Sequence, residues 1–106
     1  MITIHHYRLA NGQHPFRDWL MKLADTRARV AVLRRVDRLA EGNFGEHRFL
    51  EAGVWELKVD VGPGYRVYYA QEGKAIVLLL SAGSKRTQSR DIARAVEYWK
   101  DHQSRS

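Results

Sequence analysis

Apolar and polar residues alternate along Val54-Trp-Glu-Leu-Lys-Val-Asp-Val61, and a second run, Tyr65-Arg-Val-Tyr-Tyr-Ala70, follows after Gly62-Pro63-Gly64. Successive side chains of a strand point to opposite faces. The pattern therefore predicts a hairpin with Trp55, Leu57, Val59, Tyr65, Val67 and Tyr69 on an apolar face. Glu56, Lys58, Asp60, Arg66 and Tyr68 fall on the other. The turn suits a tight reversal, because glycine tolerates positive φ and proline fixes its own. If Val61 pairs with Tyr65, Asp60 opposes Arg66 and Lys58 opposes Tyr68.

The rest of the chain is organised around this hairpin. Ile2 to Leu9 alternates loosely and reads as a leading strand, broken at Asn11-Gly12. Pro15 suits the first turn of a helix, and Phe16, Trp19, Leu20 and Leu23 recur at helical spacing up to about Ala24. Asp25 can cap a second helix. Its apolar stripe is Ala28, Val32, Leu33, Val36, Leu39 and Ala40, with Arg27, Arg34, Arg35 and Arg38 on the remainder and Gly42 as the stop. His47 to Leu50 reads as a short strand. A turn at Gln71–Lys74 leads to Ala75–Ser81, whose continuous apolar run predicts a strand covered on both faces. Ala82-Gly83-Ser84 then leaves the sheet. Thr87 can cap a final helix with Asp91 in its first turn and Ile92, Ala95, Val96 and Trp99 as its buried stripe. Helices grouped rather than interleaved with strands predict one α+β domain over residues 1–106: leading strand, helical hairpin, mainly antiparallel sheet with a meander, C-terminal helix.

Composition changes this picture in two respects. The chain carries 18 Lys and Arg against 12 Asp and Glu, a net charge of +6 on 106 residues. Such an excess points to a polyanionic partner, nucleic acid or an acidic protein, against the plainer reading of a basic soluble surface. There is no cysteine, which excludes disulfides, thiolate metal sites and a cysteine nucleophile. His5 and His6 would point to opposite faces of a strand, a poor chelating geometry, and neither metal nor cofactor is expected. The longest apolar run, Ala75–Leu80, is far too short to span a bilayer, and the N-terminal residues have no signal-peptide character. The expectation is a cytoplasmic protein without a membrane partner. Gly83-Ser84-Lys85-Arg86-Thr87-Gln88 is a compact basic loop that lacks the upstream glycine of a phosphate-cradling P-loop.

The ordered combination Trp55-Glu-Leu-Lys58, Gly64-Tyr-Arg66-Val-Tyr-Tyr69, an apolar strand, Gly83-Ser-Lys85-Arg86-Thr-Gln88 and then Asp91-Ile92 with Ala95 resembles the RelE/ParE toxin superfamily. The likeness is closer to its HigB-like branch, the addiction module killer proteins, and covers almost the whole chain. It implies the toxin of a type II toxin–antitoxin pair: an mRNA endoribonuclease, ribosome-dependent or free, that inhibits translation. ParE-like members share the fold but poison DNA gyrase, so a gyrase inhibitor or an inactive binding module are the competing readings. The implied partners are a cognate antitoxin of helix-turn-helix type, mRNA and the ribosome, with operator DNA as a ligand of the toxin–antitoxin complex.

Metal-independent RNA cleavage needs the ribose 2′-hydroxyl deprotonated, the phosphorane charge stabilised and the 5′-oxygen protonated. The resemblance implies Lys58, Arg66, Lys85 and Arg86 as catalytic candidates. Lys58 either activates the 2′-hydroxyl or holds phosphate. Arg66 offers a fork for two phosphate oxygens, or an ion pair with Asp60. One of Lys85 and Arg86 would stabilise the phosphorane or protonate the leaving group. Tyr68, Gln88 and Arg48 are candidate RNA contacts, Tyr68 by stacking on a base unless it is buried on the sheet. His47 is weaker, and Glu56 as a base is a minor alternative. RelE-type members place a base-stacking tyrosine in the final segment; here that region reads Ser89-Arg-Asp-Ile-Ala93.

Overall fold

A computed structural model describes residues 1–105. The elements follow the expected order. They are β1 (Thr3–His6), α1 (Pro15–Lys22), α2 (Thr26–Ala40), β2 (His47–Glu51), β3 (Val54–Val59), β4 (Tyr65–Glu72) and β5 (Ile76–Ser84). A short 3₁₀ turn, Lys85–Thr87, then opens α3 (Gln88–Ser104). The strands form one sheet in the order β1-β5-β4-β3-β2. β2 through β5 are an antiparallel meander, and β1 closes the far edge parallel to β5. The architecture is the α+β arrangement expected.

Each face of the sheet has its own helical cover. Leu57, Val59, Val67, Tyr69, Val77 and Leu79 pack against Phe16 and Leu20 of α1 and Ala28, Val32 and Leu39 of α2. On the opposite face Val54, Tyr68, Ala70, Leu78 and Leu80 lie under α3, with Ala95 at the centre and Ile92, Val96 and Trp99 around it. Pro15 opens α1 and the Asp25 carboxylate caps α2 by accepting from Arg27 N and Ala28 N, as the sequence pattern requires.

Several expectations are corrected. The hairpin register is displaced by two residues: Val59 pairs with Tyr65, so Lys58 opposes Arg66 and Glu56 opposes Tyr68. Asp60 opposes neither, because Gly62 and Gly64 both take positive φ (55° and 85°) and the reversal spans residues 60–64. A displacement of two keeps every side chain on its predicted face while changing its neighbours. The leading strand is shorter than Ile2–Leu9. Ala82, Gly83 and Ser84 remain in β5, paired with Val67, Arg66 and Tyr65. A bulge between Tyr68 and Tyr69, which pair with Ser81 and Leu79, leaves Leu80 as the extra residue. The Thr87 hydroxyl makes no helix cap; it donates to the Asp91 carboxylate, with Ser84 O 3.4 Å away. Arg35 does not share the solvated face of α2. It is only 7% exposed and sits in the stripe between Val32 and Leu39.

Candidate nucleic-acid interface

α3 covers only part of its sheet face. Beside it a cavity of about 270 Å³ remains, lined by Glu46, His47, Arg48, Glu56, Lys58 and Arg66. The strand period places these residues together. Glu56, Lys58 and Arg66 project from the same side of β3 and β4, and Arg48 pairs with Glu56 from β2.

Glu56 is the hub. Its side chain is 6% exposed and lies 3.3 Å from Arg66 Nε and 3.4 Å from Arg48 Nη2. It also accepts a 3.0 Å hydrogen bond from Gln88 Nε2. A buried carboxylate is tolerated when cations and donors surround it, and here three groups from three elements do so. Arg66 is held by this ion pair rather than by Asp60, and neither its Nε nor its Nη1 makes a hydrogen bond among the described residues. Lys58 Nζ lies 3.3 Å from Glu46 Oε2 at the cavity mouth, with its side chain 37% exposed.

The basic loop reaches the cavity by two links. Gln88 bonds to Glu56, and Lys85 N donates to Gly64 O in the β3–β4 turn at 3.0 Å. The loop is anchored from beneath by Asp91. A Cβ on Gly83 would come 1.8 Å from Asp91 Oδ2, so this side chain packs directly on the β5 backbone. Lys85 and Arg86 are themselves exposed. They line an adjacent cavity of about 390 Å³ with Gln88 and Arg90.

The structure thus brings Lys58, Arg66, Arg48 and Gln88 to one site, with Lys85 and Arg86 on its flank. Tyr68 belongs to a different environment. It is fully buried under α3 and presents no ring face to a base. Burial, reinforced by the charges of Glu56 and Asp91, raises the pKa of its hydroxyl well above the usual tyrosine value.

Two contributors were not among the leading sequence candidates. Glu46 supplies the carboxylate that meets Lys58. Arg35 donates through Nε to Lys58 O at 3.2 Å and through Nη2 to Phe44 O and Glu46 O, both at 3.1 Å. It therefore ties α2 to the backbone of both partners in the Lys58–Glu46 pair. The available signal was its spacing: Ala28, Val32, Arg35 and Leu39 fall on one helical stripe.

Residues 18–100 match the family described as Phage derived protein Gp49-like (DUF891). The chain belongs to this Gp49-like family. It is a toxin–antitoxin-associated family related to RelE-type toxins. An uncharacterized protein of Haemophilus influenzae (strain Rd) is 42% identical over 80 residues, covering 76% of this chain and 81% of that protein. The matched region of the Gp49-like chain includes all of β2 through β5 and the basic loop, so the whole cavity lies within it. Among the described residues no helix is long and apolar enough to cross a membrane.

Proposed function

We propose that this Gp49-like protein is the toxin of a type II toxin–antitoxin pair. It would belong to the HigB-like kind and act as an endoribonuclease that cuts mRNA in the cytoplasm and stops translation. The observation that carries this reading is Lys58 and Arg66 facing each other across β3 and β4, on the wall of a cavity joined to the basic loop by Gln88. Convergent cations suit a phosphodiester whose charge rises on the way to the phosphorane.

The chain's own groups cover each step. Arg66, oriented by Glu56, holds a non-bridging phosphate oxygen. Lys58 stabilises the developing charge, and Glu46 beside it accepts the 2′-hydroxyl proton. The 2′-oxygen attacks phosphorus as the bond to the 5′-oxygen breaks. Lys85 or Arg86 delivers a proton to that leaving group, and the product ends in a 2′,3′-cyclic phosphate. The antitoxin, a helix-turn-helix protein, restrains this activity, and the complex binds operator DNA.

The test follows transcripts and plasmid after induction, and RNA cleavage by purified protein with and without ribosomes. Lys58→Ala leaves the buried network intact and should lower the cleavage rate on the order of 100-fold, the usual loss when a transition-state donor is removed. Arg66→Lys should lower it comparably while retaining charge. Intact transcripts together with accumulating gyrase cleavage complexes would replace the nuclease with a gyrase inhibitor. Full cleavage by a folded Lys58→Ala variant would remove the site assignment.

A further inference from the structure

On the far side of the Lys58–Glu46 pair lies a second groove of about 420 Å³, between α2 and the end of β3. Arg34, Arg35, Arg38 and Lys58 line it against Glu46 and Asp60, four cations against two carboxylates. Lys58 and Glu46 line both this groove and the candidate site, so the two cavities meet at that pair.

Arg34 and Arg38 differ from the other arginines near the site. Arg48 and Arg66 are both committed to Glu56. Among the described residues, no carboxylate lies within salt-bridge distance of Arg34 or Arg38, and both are exposed. They sit four residues apart, one helical turn, so their side chains share a face. Beneath them Arg35 is a buried cation with no carboxylate within salt-bridge distance among the described residues, its three bonds going to backbone carbonyls. Burial, and then the nearby Arg38, disfavour its charge. Tyr69 and Glu46 offset this only in part, and an anion over the groove would offset it further. Glu46 is already engaged with Lys58, leaving exposed Asp60 as the one uncommitted carboxylate among the described residues that line the groove.

We infer that the α2 groove is a phosphate subsite for the same RNA strand, in which Arg34 and Arg38 bind backbone phosphates beyond the one held at Lys58 and Arg66. This rests on the reading of the adjacent site as an RNA site. The subsite confers affinity and register along the strand, not base identity, because guanidinium contacts to phosphate carry no sequence information.

The experiment measures binding of 2′-O-methyl RNA, which lacks the reactive hydroxyl and so stays uncut. Oligomers of about twelve and about four nucleotides are compared over a range of salt. The R34Q/R38Q double variant should bind the longer oligomer roughly tenfold more weakly at low salt. The slope of log K against log[salt] should fall by about 1.4, two contacts at ~0.7 each. The short oligomer should be unaffected. Lys74→Gln, which removes an exposed charge in the β4–β5 turn, is the control and should change neither.

Unchanged long-oligomer affinity and slope in R34Q/R38Q, with wild-type protein binding and cleaving RNA, overturns the subsite alone. An equal loss with Lys74→Gln also overturns it, since diffuse charge would then suffice. Wild-type protein that binds neither oligomer removes the RNA reading of the adjacent site, and this inference with it.

Discussion

Gly83→Ala tests how the basic loop is held on the sheet. The added Cβ would lie 1.8 Å from Asp91 Oδ2, 2.8 Å from Asp91 Cγ and 3.0 Å from Thr87 Oγ1. Gly83 does not have the positive φ of the turn glycines, so backbone strain does not enter. The cost is the clash with the Asp91 carboxylate, which is 8% exposed and accepts from Thr87. Overpacking a buried position costs about 1–3 kcal/mol, and displacing a hydrogen-bonded carboxylate adds about 1.5–3 kcal/mol. The expected loss is about 2.5–6 kcal/mol, or roughly 10–25 °C in Tm for a domain of this size. Urea or thermal unfolding followed by circular dichroism measures it, with the m-value unchanged. Asp91→Ala removes the clashing atoms and should cost about 1–2 kcal/mol alone, the lost hydrogen bond. Gly83→Ala with Asp91→Ala should then be more stable than Gly83→Ala alone, a coupling of about 3 kcal/mol or more in a double-mutant cycle. Additive losses, or a Gly83→Ala variant as stable as wild type, would refute the packing argument.

Two further outcomes are expected. Gly53→Ala combines φ of +87° with a Cβ only 2.6 Å from Trp99 Nε1, so it should cost about 2–3 kcal/mol in the same unfolding assay and release the far end of α3. At high pH, Tyr7 and Tyr69 are both pushed up to about 12, chiefly by burial, while an unfolded tyrosine ionises near 10. A raised pKa gives stability that is complete below the unfolded value and is lost as pH climbs toward the folded one. Tyrosinate absorbance should therefore appear together with loss of circular dichroism between about pH 10 and 12. Tyrosinate forming throughout that window in a protein that keeps its fold would contradict the burial.

How much was legible from residues alone followed the range of the forces involved. The faces of β3 and β4 were readable because the strand period is local and the core side is apolar. Their register was not, since two positive-φ glycines widened the reversal and no side chain changed face to reveal it. The strand character of Ala82–Ser84 was hidden because small residues carry little strand signal, and β4 supplies their pairing. The burial of Tyr68 depended on where α3 docks, a contact between residues distant in sequence. Alternation placed Lys58 and Arg66 on one face, but not opposite each other, because the expected pairing set Lys58 against Tyr68 and Arg66 against Asp60. The position of Glu56 among Arg48, Arg66 and Gln88 required β2, β4 and α3 to be assembled around it.

The parallel pairing of β1 with β5 joins Thr3 to Ile76 and His6 to Leu79. Tyr7 donates to Asp101, across almost the whole chain. Contacts of such sequence separation must meet their loop-closure entropy before they stabilise the chain, which slows folding. A nascent chain with α3 still inside the exit tunnel cannot complete this clasp or cover the second face of its sheet. Production of the finished fold is thereby postponed until synthesis has passed α3.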